Sequence, residues 1–320
     1  MNSSSSDGSQ PTKRPALTPI GDRFWLLRDD LHFPQRIGSK WRKLQHLQHA
    51  TGIVSLGGAF SNHLHALAVF GRTYGVPTVG IVRGEHADQA NPTLAYCRAA
   101  GMELHNVRKA DFDRGWASEA VQRIVATVPA YVTLPMGGDS EGGRAGAAGI
   151  VADITAQLPL ATPLQIVVGA GSGTTARGIA GALAPLQHCL AVPAAMMHSL
   201  DSDGPTAALP AVADPVRPPL WLPPPLEGYA ELPAARLRTI ESGWAEYGIL
   251  LDPIYSSRAV VAARHVRKSD SVVHTVVCTP VACKAGPASS TRWPRRRHCA
   301  SQSMKRCIRR LPREAHRAGA

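Results

Sequence analysis

Apolar and polar positions change period in a regular way along the first 190 residues. Short apolar runs closed by glycine, such as GIVSLGG (52–58), PTVGIVRG (77–84) and LQIVVGAG (164–171), read as buried parallel strands. Between them lie segments with helical spacing: SNHLHALAVFGRTYG (61–75), NPTLAYCRAAG (91–101), DRGWASEAVQRIVATV (113–128) and GRAGAAGIVADITAQL (143–158). RFWLLRDDL (23–31), MELHNV (102–107) and AYVTLPMGG (130–138) add further strands, and KWRKLQHLQHA (40–50) a helix. Ser61 or Asn62 stands where the first long helix should begin. Strands alternating with helices predict an α/β fold with parallel sheets. After Leu190 the pattern thins. Residues 211–229 are Pro-rich, 232–248 return to helical spacing, and no pattern persists beyond about Ser271. No repeat occurs at solenoid periods.

Composition changes this picture at the two ends. With 320 residues and 44% hydrophobic positions the chain can bury a sizeable core. No apolar run reaches the roughly 18 residues of a membrane span. The Ser-rich start, MNSSSSDGSQPTKRP, has no apolar leader core and is expected to be a disordered lead-in over residues 1–20. A cytoplasmic protein is expected. The net charge of +12 is unevenly placed: residues 288–320 hold ten Lys/Arg and one Glu, which leaves +3 for all the rest. Cys97 and Cys189 lie in the body and are expected to be buried apolar fillers. The other four cysteines fall within the last 43 residues, so no disulfide framework across the domain is expected.

Two glycine turns carry candidate chemistry. VVGAGSGTTARGIAGAL follows a strand and opens a helix. Gly169, Gly171 and Gly173 permit close backbone approach, and Ser172, Thr174 and Thr175 add hydroxyl donors. Free amides and the positive end of the helix dipole there suit an anion, most naturally a phosphate. No Lys-Ser/Thr pair closes the loop as in a nucleotide P-loop, and its late position fits a Rossmann fingerprint poorly. A purely structural glycine turn fits the same residues. GSKWRKL (38–44) presents Lys40 from a tight turn shortly before SLGGAFSNH. Alone, Lys40 would read as a solvated helix residue. A presented lysine together with a phosphate cup points to pyridoxal 5'-phosphate, which needs a lysine for its Schiff base, a cup for its phosphate and a partner for its ring nitrogen.

RDDL…GSKWRKL, GGAFSNHLHALA, GIVRGE, GSGTTARGIAGAL, EGYAELP and LDPIY, in this order over about residues 22–260, resemble the 1-aminocyclopropane-1-carboxylate deaminase/D-cysteine desulfhydrase family. The resemblance implies a two-domain, three-layer parallel-sheet α/β fold of the tryptophan-synthase-β-like, fold type II pyridoxal-phosphate enzymes. It implies a large cofactor domain from residues 21–45 and 160–275, a small inserted domain over 46–159, and a homodimer as family precedent. It makes Lys40 the Schiff-base lysine, with Ser39 where the family has asparagine. Ser61 becomes a nucleophile or proton relay, and Asn62 the partner of the cofactor's phenolic oxygen. Tyr255 and Tyr229 become active-site tyrosines. Gly171, Ser172, Gly173, Thr174 and Thr175 form the phosphate cup. His63 is left without a role, and His65 is expected to be a satisfied core residue.

Ser256 follows Tyr255 where the family's deaminases carry a glutamate at the ring nitrogen and its desulfhydrases a threonine. That implies a D-cysteine desulfhydrase-like α,β-elimination giving pyruvate, ammonia and sulfide. A related D-amino-acid lyase, ring opening of the cyclopropane substrate and a degenerate non-catalytic chain are the alternatives.

The tail, 276–320, departs from the family. Cys278, Cys283, His298, Cys299 and Cys307 lack paired zinc spacing, so no metal site is expected. RWPRRRHC and KRCIRRLPR could contact nucleic-acid phosphates, an unspecific signal that is not favoured. A third reading is a shifted frame. Triplets read from the third base of the Val277 codon to Gly286 can spell Leu-His-Thr-Gly-Gly-Leu-Gln-Gly-Arg, the motif that the family has at this point. A frameshift between about Ser271 and Val277 is expected, with the last strand lost and one wall of the site open.

Overall fold

A computed structural model describes residues 15–29, 38–85, 91–158, 163–185, 187–193, 218–222, 233–249, 251–267 and 273–278. The described strands form two sheets. The larger is built from β1 (Ala16–Gly21), β2 (Phe24–Arg28), β7 (Leu164–Ala170), β8 (Gln187–Pro193), β9 (Leu220–Trp221) and β10 (His274–Cys278), in the order β1-β2-β10-β7-β8-β9. The smaller is built from β3 (Ile53–Gly57), β4 (Thr78–Arg83), β5 (Glu103–Val107) and β6 (Val132–Leu134), in the order β5-β4-β3-β6. Every pairing is parallel except β1 with β2. The smaller sheet is threaded between β2 and β7 in chain order.

The helices are α1 (Gly38–Arg42), α2 (Asn62–Tyr74), α3 (Pro92–Ala99), α4 (Lys109–Asp113), α5 (Glu119–Ala126), α6 (Glu141–Thr155), α7 (Thr174–Gly181), α8 (Ala234–Tyr247) and α9 (Ser256–Arg267). Local chemistry sets their starts. Ser61 caps α2 by accepting from the Leu64 N–H at 3.2 Å, and Asn91 caps α3 by accepting from Thr93 and Leu94. β3 and β4 are fully buried apart from Arg83 at the end of β4, in keeping with their unbroken apolar runs.

The lead-in expected over residues 1–20 gives way to β1 at Ala16. Ile20 is buried there, and the strand pairs with β2. The helix expected over 113–128 is shorter: Gly115, at φ +54°, and a 3₁₀ turn over Gly115–Ala117 delay its start to Glu119 and separate it from α4, which the pattern does not predict. The last strand, expected to be lost, is present. His274–Cys278 lies between β2 and β7, in continuous register with both, and Val276 and Val277 are wholly buried. Four of its five residues are buried, from Thr275 to Cys278, so the strand carries no alternation and periodicity could not reveal it. The tail beyond Cys278 lies outside the described residues.

Packing crosses the expected domain edges. Trp41, Leu44 and Leu47 join the cluster of Leu64, Leu67, Phe70 and Leu94 over the small sheet. Ile150, Val151 and Ile154 of α6 join Ile166, Val168 and Ile179 over the large one, although residues up to 159 were expected in the insertion. The Lys40-bearing helix therefore sits where the two cores meet. Arg42 strengthens that junction: its guanidinium grips Asp29 with both Nε (3.1 Å) and Nη2 (2.8 Å), and Nη2 also donates to Asp153 on α6 at 2.7 Å.

Candidate active site

The site forms where strand C-terminal ends converge, the usual place for ligands in open parallel sheets. Lys40 projects from α1, with its Nζ 5.8 Å from the centre of the Tyr255 ring. Removal from water lowers its pKa from the ordinary lysine value, and Asp252 partly offsets that. A half-buried amine of this kind sheds its proton more readily and is a better nucleophile and base.

Lys43, one helical turn on, is only 1% exposed and donates to the Gly137 carbonyl. Burial, with the neighbouring Lys40 as second cause, holds its pKa well below the ordinary value. It makes no ion pair among the described residues. Asp139, the nearest acid acting on it, is engaged by Arg144 at 2.9 Å and Arg177 at 2.6 Å. Lys43 lies in the same GSKWRKL motif, where the sequence alone assigns it no role. Its i+3 spacing from Lys40 on a helix was the available signal.

The phosphate-cup candidates come together. Gly173, at φ +79°, precedes α7, whose first residues Thr174 and Thr175 are buried. Ser172 Oγ lies 2.8 Å from Thr174 Oγ1. Tyr255 lies against the loop: a Cβ placed on Gly171 would fall 3.3 Å from the Tyr255 hydroxyl. The turn after β6 closes the other side. Gly137, at φ +77°, packs so tightly on Ser172 that a side chain there would collide with its hydroxyl. The amides opening α7, at the positive end of its helix dipole, suit an anion in this pocket. A dianionic phosphate fits, because it supplies the counter-charge that buried Lys43 lacks.

His63, the second residue of α2, reaches under this pocket. Its Nε2 lies 2.8 Å from Ser55 Oγ, whose hydroxyl donates to the Leu134 carbonyl at 2.7 Å. The ring therefore carries its proton on Nε2 and leaves Nδ1 bare and buried. Burial, with Lys43 and Lys40 adding repulsion, depresses its pKa to about 3.

The remaining candidates divide. Ser61 and Asn62 open α2 beside His63. Ser61 Oγ accepts the capping bond and keeps its own O–H available. Ser256 is wholly buried and is occupied elsewhere: its Oγ accepts from the Asp252 N–H at 2.6 Å and donates to the Asp252 carbonyl at 3.2 Å. Asp252 in turn caps α9, accepting from the N–H groups of Ile254, Tyr255 and Ser256. Ser256 opens α9 immediately after Tyr255, with both bonds of its hydroxyl made to the Asp252 backbone. Tyr229 lies outside the described residues. Cys97, Cys189 and Cys278 are buried, and none of them forms a disulfide among the described residues. Among the described residues no group of three His, Cys, Asp or Glu could hold a metal ion, and no helix is long and apolar enough to cross a membrane.

A lysine of lowered proton affinity, beside a cup for a phosphate, defines a class. The chain belongs to the family of pyridoxal-phosphate dependent enzymes, which it matches over residues 12–279. Relatives narrow that class. A Thermotoga maritima protein, provisionally named a 1-aminocyclopropane-1-carboxylate deaminase, is 26% identical over 287 residues, 80% of this chain and 88% of its own length. The Arabidopsis thaliana mitochondrial bifunctional D-cysteine desulfhydrase/1-aminocyclopropane-1-carboxylate deaminase is 28% identical over 200 residues. That match spans 54% of this chain and 49% of the relative. The fold is that of the tryptophan-synthase-β-like enzymes. An ACC deaminase homologue superposes with a TM-score of 0.63 at 20% identity, over 80% of this chain and 83% of the other. A hydrogen sulfide-producing enzyme from Fusobacterium nucleatum gives 0.63 at 15% identity, over 84% and 94%.

Proposed function

We propose that the chain is a pyridoxal-phosphate-dependent lyase that eliminates the β-thiol of D-cysteine or a closely related small D-amino acid, releasing pyruvate, ammonia and sulfide. The observation that carries this reading is Lys40, a half-buried amine of lowered proton affinity set between Tyr255 and the turn that holds Lys43. Lys43 and the amides of Gly173, Thr174 and Thr175 would hold the phosphate, and Asn62 would donate to the phenolic oxygen. When bound, the cofactor withdraws electrons from the substrate's α-carbon. Lys40 then takes the α-proton, and the Tyr255 or Ser61 hydroxyl delivers a proton to the departing sulfur. The uncharged residue at 256 favours elimination over ring opening, since it supplies no carboxylate near the ring nitrogen. Three buried thiols, none of them in a disulfide among the described residues, fit a reducing compartment such as the cytoplasm.

The test is product analysis with purified chain, cofactor and D-cysteine, L-cysteine or 1-aminocyclopropane-1-carboxylate. Sulfide and pyruvate in equal amounts from D-cysteine, abolished in Lys40→Ala, are expected. Turnover of the cyclopropane substrate alone, to ammonia and 2-oxobutanoate, would refute the elimination reading.

A further inference from the structure

One peptide of the glycine loop has its direction set from outside the loop. Arg177, one turn into α7, sends Nη2 back to the Ser172 carbonyl at 3.0 Å and Nη1 to the Asp139 carboxylate at 2.6 Å. Asp139 is itself fixed by Arg144, at 2.9 Å, and it follows the glycine turn that Lys43 and Ser172 clamp. The guanidinium is thus committed on two sides, and its charge is matched by a carboxylate.

The peptides here are all trans, so the C=O and N–H of one unit point in opposite directions. Drawing the Ser172 oxygen towards Arg177 turns the Gly173 N–H to the opposite face of the loop. Gly173 has the positive φ that such a peptide orientation requires, +79°. Among the described residues its N–H has no acceptor, and it stands beside the Thr174 and Thr175 amides, which lack intrahelical partners. If the 172–173 peptide flipped, a carbonyl lone pair would replace an N–H donor at the mouth of the cup and repel an anion.

We propose that Arg177, held by Asp139, is a positioning residue that locks the Ser172–Gly173 peptide with its N–H towards the phosphate of the cofactor. This rests on the reading of the loop as the phosphate cup. Arg177 acts through the backbone and does not touch the phosphate.

Affinity measured with and without the phosphate tests it. Pyridoxal phosphate and pyridoxal are titrated by absorption into the full chain, as wild type, Arg177→Met, Arg177→Lys and Asp139→Asn. Loss of one well-aimed, charge-assisted hydrogen bond should weaken pyridoxal phosphate on the order of 10- to 100-fold. Pyridoxal, which reacts with the same lysine, should change less than about twofold (a factor of two is well under 1 kcal/mol). Asp139→Asn is the discriminating variant and carries the test if Arg177→Met fails to fold. It leaves the arginine charge in place but frees the side chain, so positioning predicts weaker phosphate-dependent binding. A guanidinium that contacted the phosphate itself would bind as well or better once released. Equal loss for both compounds, or no loss for either, would overturn the inference. A wild-type chain that bound neither would overturn the cofactor reading and this inference with it.

Discussion

His63 should make the chain acid-labile in a way that one substitution removes. In the folded protein its pKa is depressed to about 3, against the ordinary 6.5. The unfolded chain therefore takes up the proton first as pH falls. Stability is present in full above pH 6.5 and is lost progressively down to about pH 3. At 1.36 kcal/mol per unit, the loss from this one group amounts to about 2 kcal/mol at pH 5 and about 3 kcal/mol at pH 4. The charged groups acting on the ring are Lys43 and Lys40, while Ser55, Leu134 and Gly138 on its other sides are neutral. His63→Gln keeps an amide able to donate to Ser55 and has no proton to gain. Urea unfolding of wild type and variant at pH 7, 6, 5 and 4 should give curves that differ in pH slope, with the variant flatter by those amounts. Parallel pH dependences would show that the imidazole is not held neutral, and would refute both its tautomer assignment and its burial beside two lysines.

Lys43→Met should stabilise the cofactor-free protein by ~1–4 kcal/mol, since a buried amine without an ion pair gives way to an apolar side chain, while it weakens pyridoxal phosphate binding; thermal unfolding with and without cofactor reads both. Lys40 and Lys43 both have folded pKa values below 10.5, so the unfolded chain binds more protons and cofactor-free wild type should gain stability as pH rises from 7 towards 10. The Met variant should gain less in the same melts. Because β10 keeps its register through Cys278, the frame should change at the end of that strand. One nucleotide restored after the second base of codon 277 would give Val277 followed by Leu-His-Thr-Gly-Gly. Sequencing the coding DNA should find codons compatible with that reading at every position, and a single incompatible codon would sink it.

Much of the fold was written in local pattern. β3, the cap at Ser61, α2 and the β7–loop–α7 unit could be read directly, because each combines an apolar run or a 3.6-residue stripe with a turn residue whose chemistry is local. β10 could not be read, because a short strand buried on both faces shows no period. Lys40 and the glycine loop were legible as motifs, but their relation was not. Nothing in the sequence says that Gly137 packs on Ser172 or that Lys43 lies beneath both. Ser256 is a related case: its place after Tyr255 is legible, whereas the bonds that its hydroxyl makes to the Asp252 backbone are not. Arg177 and Asp139, thirty-eight residues apart, meet only through the packing of α6 on α7.

The most direct measurement is the visible absorption spectrum of the purified chain after addition of pyridoxal phosphate, followed by borohydride reduction and peptide mapping. A band that is lost in Lys40→Ala, with the reduced adduct found on Lys40, is the predicted result. No band, or an adduct confined to other lysines, would contradict a working cofactor site built around Lys40.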